Sequence, residues 1–138
     1  MRYLPWAVLG LAAYTLVAPL MKVATSELPS SVAVLISNTV LVVAAVAVVA
    51  LSNESVVGYH THPKAPYAYA GGLALAVGIL AYYRALSLGP VSVVTPVFGM
   101  FIVTSSLIGV AVLDESLTAR KVAGIALAVL AVYLTSVE

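Results

Sequence analysis

Seven side chains in this mostly apolar sequence have the chemistry to bind something: Lys22, Asn38, Tyr82, Tyr83, Arg84, Thr95 and Pro96. Lys22 stands near the end of the first apolar run. Two readings are open for it. It is either a snorkelling anchor that carries its ammonium to an interface, or a positive group at the mouth of a cavity that attracts a carboxylate or phosphate. Arg84 lies close to the end of another apolar run, beside Tyr82 and Tyr83. A charge inside hydrocarbon costs at least about 2.5 kcal/mol, so Arg84 must snorkel, pair or face a polar cavity. Glu27 and the carboxylates of Glu138 are its candidate partners. Asn38, within the polar interruption Ser37-Asn38-Thr39, is a polar side chain that needs a partner.

The elements that must position these groups centre on Tyr82-Tyr83-Arg84-Ala85-Leu86-Ser87-Leu88-Gly89-Pro90-Val91, the tightest turn in the chain. Gly89 suits the end of one helix and Pro90 the first turn of the next. So short a turn predicts two antiparallel helices side by side. Pro96, inside the second of them, lacks an amide donor and frees a carbonyl near residue 92. Ser92, Thr95, Pro96, Gly99, Ser106 and Gly109 recur along that run at helical spacing. The stripe is either a close helix-packing surface or, with a break at Pro96, a path lined by open carbonyls.

Of the 138 residues 63% are hydrophobic and 8% charged, with a mean hydropathy of +1.15. A soluble domain carries about 25% charged residues, so these few could not cover its surface. Five apolar runs, about 3–24, 30–51, 67–88, 91–113 and 118–137, are each long enough to cross a bilayer core of about 30 Å. Lipid leaves no partner for open backbone groups, so each run is expected to be helical. The expectation is an all-α, multi-pass protein of the cell membrane, with residues 1–138 forming one transmembrane domain. The first run is too long for a typical signal-peptide core and carries Pro19 and Lys22 near its end, so it is expected to stay as a span.

The sequence has no cysteine, which excludes disulfides and thiolate sites. Its six basic residues are scattered and make no nucleic-acid patch. His60-Thr61-His62 is too short and isolated to define a metal site. Glu115 is expected to cap the last helix, and Gly124-Ile125-Ala126-Leu127-Ala128 to mark a packing face within the chain or between subunits. No nucleophile–base set, carboxylate pair or phosphate loop is present, so no enzyme, catalytic residue or cofactor is expected.

Five crossings place the termini on opposite faces. Arg2, Lys64, Arg120 and Lys121 then share the N-terminal face, with Lys22 and Arg84 at the other. This excess makes the N-terminal face cytoplasmic by the positive-inside rule, and it is small enough to permit both orientations.

The hinge segment from Tyr83 to Pro96, the turn Leu113-Asp114-Glu115-Ser116-Leu117-Thr118 and the Gly124 helix together resemble the EamA domain of the drug/metabolite transporter superfamily. The first helix ending in Lys22 and the Glu27-Leu28-Pro29 turn fit as well. Asp114 stands where that family often has glycine, and Ser37-Asn38 where many members have arginine. Members usually carry two five-helix repeats in inverted orientation, and one such repeat is found here. The resemblance implies secondary transport of a small organic metabolite by an antiparallel homodimer, or by a heterodimer with a paralogue. Lys22, Asn38, Tyr82, Tyr83, Arg84, Thr95 and Pro96 would then bind the substrate near the midplane. The rival expectations are a non-transporting membrane subunit or regulator, and a component of a lipid-linked sugar flippase.

Overall fold

The computed structural model describes residues 3–52, 54–113 and 116–136. Glu115 and Glu138, expected as a cap and as a partner of Arg84, lie outside the described residues, as do Arg2 and Asp114. All the regular structure among the described residues is helical. The elements are α1 (Leu4–Thr15), α2 (Val17–Ala24), α3 (Ser30–Ser52), α4 (Val56–Tyr59), α5 (Ala65–Leu88), α6 (Val91–Val112) and α7 (Ala119–Ser136). Taken together as Leu4–Ala24, α1 and α2 make one span; α3, α5, α6 and α7 make four more. The protein is a multi-pass, all-helical membrane protein.

The chain divides into two units, Met1–Leu88 and Gly89–Glu138. In the first, α3 and α2 both pack against α5. Small residues permit this approach: Ala18 of α2 and Ala33 of α3 are buried, as are Tyr82, Tyr83 and Leu86 of α5. In the second unit α6 packs against α7, and Val103 and Gly109 of α6 are buried. Large apolar side chains elsewhere point outward along the spans, among them Leu9, Leu35, Val43, Leu73, Ile102 and Leu127. Lipid solvates such surfaces, so little polar stripe is needed.

Hydroxyls within the spans are satisfied by their own helices. Thr15, Thr39, Ser52 and Ser106 each donate to the carbonyl four residues back, at 2.7–2.8 Å. Buried Thr25 does the same to Met21 at 2.7 Å. This back-bonding removes the cost of placing a hydroxyl in hydrocarbon and frees it from needing a second helix.

The helix breaks differ from expectation. The first span is interrupted at Leu16, where the amide turns to the Ala13 carbonyl at 3.2 Å, a tighter turn than the α-helical one. Pro19 supplies the reason: it has no amide hydrogen for the carbonyl of Thr15, four residues back, and its ring crowds that carbonyl. By contrast α6 runs unbroken through Pro96. The carbonyl affected there, that of Ser92, belongs to the first turn, where the backbone has room to adjust. A break at Pro96, one of the two readings of that run, is therefore not found; the interruption lies in the first span and is one tight turn at Leu16, whose backbone stays in the right-handed helical region, φ −82° and ψ −18°.

Local signals set the helix starts. Pro90 stands just before α6 in an extended conformation, φ −72° and ψ 146°, and not within its first turn. Pro66 sits at the second position of α5, which begins two residues earlier than expected because proline suits a first turn. Thr118 Oγ1 accepts from the amide of Lys121 at 3.3 Å and so caps α7.

Candidate functional site

The broken first span has a direct consequence. The end of α1 and the start of α2 face α3 and α5 across a cavity of about 480 Å³, whose polar lining is Tyr14, Ser37, Asn38 and Tyr83. Its walls include Leu16, Val17, Leu41 and Ile79. Asn38 also lines a second cavity of about 400 Å³ between α3 and α5, with Gly72 and Leu75. Asn38 thus stands where two cavities meet on α3.

The local bonding of Asn38 follows from its place in a helix. Its Nδ2 donates to the carbonyl of Val34 at 2.9 Å, and Ser37 Oγ donates to the same carbonyl at 3.1 Å. The expected partner for Asn38 is therefore its own helix. One of the two N–H donors of its amide is held by that bond, which fixes the orientation of the group.

Tyr82 and Tyr83 are buried, at 7% and 4% exposure, and their ring centroids lie 6.0 Å apart at 54°. Two adjacent residues on a helix point about 100° apart, so burial of both wraps α5 in packing on two sides. Only Tyr83 is part of the cavity lining.

Lys22 does another job. Its ammonium donates to the carbonyl of Leu86, in the last turn of α5, at 2.8 Å. Arg84, two residues before Leu86, is exposed. The described residues lining the cavity include no charged side chain, so neither cation is part of it. Thr95 and Pro96 are half-buried on α6, in the second unit. Of the seven residues singled out from the sequence, Asn38 and Tyr83 share one cavity.

Tyr14 and Ser37 are the polar lining residues that sequence reasoning missed as ligand contacts. A signal for Tyr14 was present: it lies five residues before Pro19, within reach of the carbonyl that proline frees.

Gly124 and Ala128 of α7 line an open cleft of about 330 Å³ with Val103 and Ser106 of α6. The loop before α5 is held by its own side chains. His60 Nδ1 pairs with the Tyr69 hydroxyl, the His62 ring lies 6.2 Å from that of Tyr59, and the Lys64 ammonium sits 5.5 Å from the centre of the Tyr67 ring. These pairs knit the loop before α5 to its first turns, at a level where aromatic rings suit a membrane interface.

Comparison with known proteins agrees with this architecture. The EamA-like transporter family matches residues 1–137. A Sinorhizobium sp. protein described as "Uncharacterized transporter in cobO 3'region" is 31% identical over an alignment of 126 positions that covers 88% of this chain and 86% of that protein. The nearly equal shares mean that the relative is about as long as this chain. No solved structure matches the chain. With five apolar spans and a family match along nearly its whole length, this chain belongs to the EamA-like transporter family and is a membrane transporter.

Proposed function

We propose that the protein is a secondary transporter of a small organic metabolite, driven by a gradient and working as an antiparallel homodimer. The observation that carries this reading is the cavity of about 480 Å³ beside the broken first span, lined by Tyr14, Ser37, Asn38 and Tyr83. Small-molecule sites are mostly apolar hollows of about 300–1,000 Å³ with a few placed polar groups. Asn38 and Tyr83 contact the substrate directly. Lys22 and Tyr82 hold α5 in position behind them, and Arg84 serves as an outer station on the path. Thr95 and Pro96 enter the proposed path through the resemblance of their segment to the family.

Transport by rocking requires two halves of opposite orientation about a central site. A unit of five crossings supplies one half, and a second copy inserted the other way round supplies its mate.

The test is reconstitution of the purified chain alone into liposomes, with uptake from a mixture of metabolites followed by mass spectrometry under an imposed ion gradient. Accumulation of one or more solutes above protein-free liposomes is expected. Uptake that occurs only when a second protein is co-reconstituted would instead favour a role as a non-transporting subunit.

A further inference from the structure

The cavity beside the first span has a definite hydrogen-bonding character. One N–H of Nδ2 is committed to the Val34 carbonyl, which leaves the amide of Asn38 its second N–H and Oδ1 to offer, and no described group donates to that oxygen. Nor is that oxygen sealed away. Among the described residues no fully buried side-chain nitrogen or oxygen lacks a partner, so an unpartnered oxygen on half-buried Asn38 must reach open space. Tyr83 obeys the same logic. Its side chain is 4% exposed and its hydroxyl bonds to no described group, so the hydroxyl is not sealed away, and the residue lines the cavity. Ser37 Oγ has directed its proton to Val34 and can only accept further bonds.

The open polar atoms therefore include both kinds: Asn38 Oδ1 and Ser37 Oγ accept, while the second N–H of Asn38 and the tyrosine hydroxyls can donate. No described charge lines the cavity to compensate a charged guest. A carboxylate, phosphate or ammonium would give up its hydration and find no counter-charge, a large loss in a low-dielectric site.

We propose that this cavity selects an uncharged molecule bearing an N–H donor beside an acceptor, as an amide does, with the Asn38 amide and the Tyr83 hydroxyl as the groups that read the pair. The assignment rests on the transporter reading and names the substrate class of that same site. It differs from the expectation of an anion drawn in by Lys22, which does not line this cavity.

Three probes of one shape separate the alternatives: benzamide, which is neutral with two N–H donors; N,N-dimethylbenzamide, neutral with none; and benzoate, an anion with none. Each is titrated calorimetrically into the purified full chain in micelles, with empty micelles subtracted. Benzamide is expected to bind about tenfold more tightly than its dimethyl analogue, the ratio a lost hydrogen bond commonly produces. It is expected to exceed benzoate by more. Asn38→Leu should erase the preference for benzamide over the dimethyl compound, and Tyr83→Phe, which keeps the ring and its packing, should reduce it. Benzoate binding as tightly as benzamide, equal binding of the two amides, or no binding of any probe would overturn the assignment. Its failure is distinguishable from that of the transporter reading. Liposomes that accumulate only anionic metabolites would overturn the neutral class and leave transport standing. Selective benzamide binding by a chain that moves no solute would support the class and remove transport.

Discussion

The ammonium of Lys22 donates to the backbone carbonyl of Leu86 across 2.8 Å, joining the end of α2 to the last turn of α5. That carbonyl could have bonded the amide four residues on, but residue 90 is proline and has none. The last turn of a helix also carries the negative end of its dipole, which favours a cation there. Lysine at this position satisfies both demands at once. The residue that looked from sequence like an anchor or an anion trap acts as the cap of another helix.

Replacing Lys22 by Met keeps most of the stem and removes the ammonium. A charge-assisted hydrogen bond at a half-buried site is worth about 1.5–3 kcal/mol. Lys22→Met should lower the thermal unfolding midpoint in detergent, and Lys22→Arg should recover part of the loss. The preference among the benzamide probes should persist at a temperature where the variant is folded. Loss of that preference with an unchanged midpoint would return Lys22 to the binding site.

Pro19→Ala restores an amide donor for the Thr15 carbonyl and lets α1 and α2 join. Proline inside a helix is about 3 kcal/mol less favourable than alanine, so the variant should be at least as stable as the parent. Since the break borders the cavity, uptake in liposomes should fall several-fold in the same preparation. A straightened span with full uptake would mean that the break is not needed for transport.

A methyl group added at Gly124 would meet no heavy atom within 4 Å apart from the helix's own backbone. Gly124→Ala should therefore stabilise α7 by about 0.5–1 kcal/mol through backbone entropy alone. The dimer fraction measured by light scattering should be unchanged, because Gly124 lines a cleft with α6 of its own chain. A weaker dimer would place this face between subunits.

Orientation can be read from single cysteines in sealed vesicles. Within one molecule, cysteines at His62 and Leu117 should label from the same side and one at Leu28 from the other, as five spans require. For the antiparallel dimer, a cysteine at Tyr3 should label from both sides in comparable amounts. Cysteines at Tyr3 and Ser136 should cross-link between subunits more readily than Tyr3 with Tyr3. One-sided labelling of Tyr3 in a chain that transports alone would leave a parallel arrangement.

The five spans were legible from composition and run length, because a bilayer admits few ways to bury a backbone and an apolar stretch of that length has little alternative to a helix. Family membership was legible from the hinge and turn motifs around Gly89-Pro90 and Leu117-Thr118, since short turns constrain residue type locally. The site was only half legible. Asn38 and Tyr83 could be singled out as polar groups, but their meeting in one cavity depends on how α1, α2, α3 and α5 pack, which no one segment encodes. Which proline breaks its span was likewise beyond a local rule: Pro19 and Pro96 carry the same chemistry, and position within the helix separates them. Lys22 makes the same point across 64 residues. Its charge was plain in the sequence, but the carbonyl that holds it belongs to another helix, and tertiary packing alone brought the two together.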